Sequence, residues 1–134
     1  MKKIIAMVLM VSIILAGCGI STPETEILHD GDTVGKGAVS FHLTIIDKEE
    51  AATHITVKTD DKLLGDALQN LNIISGEKSE YGLYITTVNG SSVDYDTDKS
   101  YWALYVNNKY SEKSISKIKV SQDAEYTLRV EKVN

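Results

Sequence analysis

Cysteine and proline each occur once in 134 residues, as Cys18 and Pro23. A lone thiol cannot close an intramolecular disulfide and excludes a thiolate-rich metal site. Histidine is also sparse, and His29, His42 and His54 are too scattered for zinc-ligand spacing. No Gly-x-Ser-x-Gly elbow occurs. Gly35-Lys36-Gly37 is too short for a phosphate loop and precedes no helix. Positive charge is in short supply as well: the net charge is −5, with no basic stripe of the kind that phosphate backbones or anionic lipids require. With no convergent acid, base and nucleophile, the pattern points to a binding protein rather than an enzyme.

Long apolar runs are confined to the N-terminus. Met1-Lys2-Lys3 is positive, and Ile4 to Leu15 is apolar except for Ser12. That run suits the hydrophobic region of a signal peptide and is short for a membrane-spanning helix of roughly 20 residues. Leu15-Ala16-Gly17-Cys18 follows and resembles a bacterial lipobox, in which small residues precede a cysteine that receives diacylglycerol. The expected organisation is a signal peptide over 1–17, a lipidated Cys18 with a flexible tether over 18–37, and a folded domain over 38–134. Loss of Lys2 and Lys3 leaves 12 basic against 19 acidic residues, a net −7. The predicted location is the extracytoplasmic face of the cell membrane, held by acyl chains. Asp30-Gly31-Asp32 in the tether reads as a solvated turn, because two carboxylates leave a hard cation mostly unliganded.

The folded region alternates. Val39, Phe41, Leu43 and Ile45 recur at period two, and Ile55 and Val57 repeat the pattern within Thr53 to Lys58, which predicts a hairpin. Leu64, Ala67, Leu68 and Leu71 share one helical face, with Asp60-Asp61 as the expected cap and an end near Ile73 to Gly76. Three further stripes read as strands: Leu83/Ile85, Trp102/Leu104/Val106 and Tyr126/Leu128/Val130. Asn89-Gly90 and Asn107-Asn108 are hairpin turns, since both central positions need positive φ. The expected fold is α+β, β-grasp-like, with one helix on a mainly antiparallel sheet.

Three segments carry a family resemblance: Leu63 to Leu68, Tyr81 to Gly90, and Tyr101 to Asn107. The stretch from about Thr56 to Val130 resembles the transcobalamin-like C-terminal domain of bacterial surface lipoproteins. The resemblance implies the smaller, β-rich half of animal cobalamin carriers, which closes over a corrinoid held against a larger helical domain. It supplies no residue for a cobalt ligand. Asn108 stands where the family usually has glycine, and Ser121-Gln122-Asp123 where many members have an Asp-Gly-Asp turn.

All seven tyrosines and the tryptophan lie between Tyr81 and Tyr126. Parity places Trp102 in the core, its indole N–H expected to find a partner. Tyr84, Tyr101 and Tyr105 fall on the opposite parity, where exposed aromatics suit a flat, amphipathic ligand. With the Asn89 and Asn107 turns they form the predicted ligand site. Asp94, Asp96 and Asp98 alternate like a calcium loop, but Lys99 and Tyr105 replace the glycine and glutamate that loop requires, so a solvated loop is expected. No required cofactor or metal is predicted. The leading expectation is capture of a small ligand, cobalamin or another corrinoid, for delivery to a membrane transporter. The alternative is a surface module for protein–protein interaction.

Overall fold

Strict alternation is realised where the sequence shows it. Phe41, Leu43 and Ile45 are buried while His42 between them is exposed. The computed structural model describes residues 26–133. The signal peptide, Cys18 and the first part of the tether lie outside the described residues. In chain order the elements are β1 (Thr33–Gly35), β2 (Val39–Ile46), β3 (Ala52–Thr59), α1 (Leu64–Asn70), β4 (Ile74–Ser79), β5 (Gly82–Val88), β6 (Ser91–Ser92), α2 (Tyr95–Asp98), β7 (Ser100–Val106), β8 (Lys109–Tyr110), a 3-10 turn (Ile115–Lys117) and β9 (Glu125–Lys132). The fold is α+β with the sheets dominant.

Six strands form the main sheet in the order β1-β3-β2-β9-β7-β8, and β4-β5-β6 form a smaller one. β2 and β3 make the expected antiparallel hairpin, and β9 joins β2 in parallel. One face of the main sheet carries Phe41, Leu43, Val57, Trp102, Tyr126 and Leu128 into a continuous core with Leu64 and Leu68 of α1. From the smaller sheet Ile74, Ile85 and Val88 complete it.

Both predicted asparagine turns are present. Asn89 and Gly90 have φ of 47° and 81° and link β5 to β6, while Asn107 and Asn108 have φ of 49° and 69° and link β7 to β8. Asparagine at position 108 therefore adopts the left-handed conformation that glycine would provide.

Three expectations are corrected. The N-cap of α1 is Leu63, with no side-chain cap; the Leu64 N–H instead donates to the Ile118 carbonyl at 2.8 Å. Asp60 and Asp61 are occupied elsewhere, accepting from Ala38 N–H and from the Asn70 side-chain amide. The helix stops at Asn70, before Ile73, because Asn72 turns left-handed at φ 59°. Ile73 N–H then bonds the Leu68 carbonyl and Asn72 N–H the Gln69 carbonyl, a Schellman closure. Finally, the folded unit begins well before residue 38. β1 pairs in parallel with β3, Leu28 packs on the core, and Gly31 N–H bonds the His54 carbonyl at 2.7 Å. The Asp30-Gly31-Asp32 turn is thus a structural joint: Asp30 accepts from both the backbone N–H and Nδ1 of His54. Those two bonds hold the Asp30 carboxyl below the usual carboxylate range.

Leu128 is fully buried at the centre of the main sheet. Leu128→Ala should lose about 2–5 kcal/mol of stability, read as a lower urea midpoint with little change in slope.

Candidate functional site

The smaller sheet docks on the rest through a serine clasp. Leu83 N–H donates to Ser116 Oγ at 3.1 Å, and Ser114 Oγ donates to the Leu83 carbonyl at 2.9 Å. Gly82 makes the close approach possible, for its φ is 116° and a Cβ there would sit 2.6 Å from both serine oxygens. The Tyr81-Gly82 pair therefore fixes how β5 stands relative to β7.

Between them lies a cleft of about 430 Å³, within the usual range of ligand sites, about 300–1,000 Å³. Ile85, Trp102 and Leu104, all largely buried, line its interior side, and Tyr81, Tyr84, Tyr101 and Tyr110 also border it. Tyr81 is 75% exposed and Tyr84 39%, so both offer open ring surface. Tyr81 and Tyr110 were not singled out by parity; the density of tyrosine after residue 80 is the signal that could have found them.

The predicted site is brought together only in part. Tyr84 and Tyr101 share the cleft, although they belong to different sheets. Tyr105 lies on the outer face of the main sheet, where its hydroxyl donates to Glu131 and its ring packs edge-on against Tyr110 at 5.7 Å. Glu131 stands opposite Tyr101, four residues back along β7, so the Tyr105 side chain runs back along the strand to reach it. Asn89 and Asn107 are committed internally. Asn89 accepts from Leu28 N–H and donates to the Leu28 carbonyl, whereas Asn107 Oδ1 accepts from Glu125 N–H. Both side chains thus brace the turns and their neighbours, and neither lines the cleft. Trp102 is in the core as expected, but among the described residues its indole N–H has no hydrogen-bond partner.

Burial and the negative surroundings of Tyr95, Asp94, Asp96 and Glu77 push the Tyr84 hydroxyl pKa up. The hydrogen bond to Glu131 raises that of Tyr105. Tyr101 is pushed up to about 12, first by its hydroxyl contact with Tyr110 at 3.5 Å and then by burial. The Tyr84 and Tyr101 hydroxyls at the cleft are therefore protonated and hydrogen-bonding at physiological pH, beside the charged Glu112, Lys113 and Lys117 that also line it. The Asp94–Asp98 stretch folds into α2 with Asp94 capping Asp96 N–H, and Asp98 accepts from Asp94 N–H. Among the described residues no group of three or more His, Cys, Asp or Glu side chains is placed to hold a metal ion.

Residues 60–132 match the family model described as Domain of unknown function (DUF4430). The chain belongs to this family. No curated protein matches it. Among solved structures, a candidate metal-binding protein from Ruminococcus gnavus ATCC 29149 is 27% identical, with a TM-score of 0.68 over 72% of this chain and 100% of that one. Haptocorrin in complex with Cbi is 20% identical, with a TM-score of 0.53 over 72% of this chain and 25% of that one. The DUF4430 domain here thus shares the fold of one quarter of haptocorrin.

Tyr101 should stay protonated beyond pH 10 and ionise near pH 12, so its share of stability is full below pH 10 and lost as pH rises through about 12. Ultraviolet titration should show this late step, and Tyr101→Phe should remove it.

Proposed function

We propose that this DUF4430 domain is the ligand-binding module of a membrane-anchored lipoprotein, and that it is not an enzyme. The single observation behind the reading is the cleft between β5 and β7, whose interior side is apolar and whose border combines four tyrosines with serines and the charged Glu112, Lys113 and Lys117. Such a surface suits a flat ligand with an apolar body and polar periphery. A corrinoid is the ligand favoured, supported by the likeness to the corresponding quarter of haptocorrin. The order hairpin, helix, then antiparallel strands closing on a parallel β9 supports a β-grasp assignment. Lipid attachment at Cys18 on the extracytoplasmic face would keep a weak binder beside the transporter that receives its ligand, raising effective concentration without new contacts.

Cobinamide titrated calorimetrically into the full chain in detergent should give saturable heat, and Tyr101→Ala should weaken it about tenfold, or roughly 1.4 kcal/mol. No heat from cobinamide or cobalamin at millimolar concentration would overturn the corrinoid assignment. Independently, Cys18→Ser should move the protein from the membrane fraction to the soluble one, and retention on the membrane would refute the anchor.

A further inference from the structure

For much of its length β7 is hydrogen-bonded on one side. Flanking it, the Lys99 carbonyl accepts from Val133 N–H and Asn107 N–H donates to the Glu125 carbonyl, both at 2.7 Å. Odd-numbered residues of this strand therefore aim their backbone groups at β9, and Trp102 and Leu104 aim theirs the other way. On that side β8 reaches only Tyr105 and Val106, and Ser111 N–H adds one bond to the Leu104 carbonyl at 2.9 Å. Among the described residues, the Leu104 N–H and both backbone groups of Trp102 have no hydrogen-bond partner.

Both residues line the cleft between the sheets. An unpaired edge is a template for another strand unless proline, charge or a bulge blunts it. The sequence of β7, Ser-Tyr-Trp-Ala-Leu-Tyr-Val, has neither proline nor charge, and its register with β9 runs without a bulge. The cleft border is rich in tyrosine and serine, with Tyr81, Tyr84, Tyr101, Tyr110, Ser79 and Ser111. That pairing of large amphipathic rings with small adaptable hydroxyls is the chemistry of peptide- and protein-binding paratopes.

We propose that the cleft edge of β7 binds an extended peptide segment of a partner protein by strand addition. The incoming backbone pairs with the Trp102 N–H and carbonyl and with the Leu104 N–H, and alternate side chains pass between the tyrosines. An extended chain offers donors and acceptors at every second residue, the spacing that Trp102 and Leu104 present. The proposal uses the same cleft as the small-ligand reading but does not rest on it.

The test is amide hydrogen exchange by NMR on the full, 15N-labelled chain. In the free chain the Trp102 and Leu104 amides should exchange fast, while those of Ala103 and Tyr105, bonded to β9, exchange slowly. A millimolar pool of acetylated, amidated random hexapeptides should slow Trp102 and Leu104 by about tenfold or more. The same pool methylated at every amide nitrogen should not. Slow exchange at both positions in the free chain, no response to the first pool, or an equal response to both would overturn the proposal. A chain that binds cobinamide yet fails here loses this inference alone, and one that responds here without binding cobinamide loses only the corrinoid reading.

Discussion

The parallel pairing of β2 with β9 ties the first long strand of the domain to the last. Five register pairs, from His42–Glu125 to Ile46–Arg129, hold segments about eighty residues apart. Closing so long a loop is entropically costly and must be offset by what the contact buries. The offset lies directly on the pairing: Phe41 and Tyr126 meet edge to face at 5.1 Å, both essentially without exposure. The Tyr126 hydroxyl then donates to the Lys119 carbonyl and accepts from Ser121 N–H, fixing the chain that enters β9. With β9 in place, β7 has a partner along one side, and its other side can form the edge of the cleft.

Local chemistry explains what could be read in the sequence and what could not. Period-two patterning identified β2, β3, β7 and β9, and in β5 it marked Leu83 and Ile85, although the buried pair there is Ile85 and Val88. Both asparagine turns were legible because positive φ restricts the residues that can occupy them. β4 was missed for a physical reason: of its six residues only Ile74 is buried, so Ile-Ser-Gly-Glu-Lys-Ser shows no alternation. The cap of α1 was misplaced because a distant carbonyl, that of Ile118, does the work assigned to a nearby aspartate. Tertiary partners of this sort leave no mark on local spacing.

The candidate site shows the same division between parity and topology. Parity correctly separates Trp102 from Tyr101 and Tyr105, since neighbouring residues of a strand face opposite sides. It cannot reveal that Tyr84 belongs to another sheet, or that the two sheets face one another across a cleft. Nor can it show that Tyr105 reaches back along the strand to Glu131. Two of the five predicted ligand residues line the cleft, Tyr84 and Tyr101. The asparagines lie outside the cleft: the residue type that makes a good turn also has an amide able to bond a neighbouring backbone, and both side chains are used in that way.

The N-terminal boundary bears directly on the proposed lipid anchor. Leu28 is bonded at both its N–H and its carbonyl by Asn89, and the Ile27 side chain fills the space beside Gly90, so the chain is bound to the domain from there onward. If Cys18 carries the lipid, only eight residues, Gly19 to Glu26, separate it from Ile27, rather than the nineteen from Gly19 to Gly37. The covalent chain limits that stretch to at most about 30 Å. A domain of this size is itself about 30 Å across, so its cleft could not range far above the bilayer. Such a geometry favours exchange with a partner already in the membrane over capture at a distance. It also makes the Asn89–Leu28 bonds part of the tether: opening them would lengthen the reach while leaving the β2–β9 core unchanged.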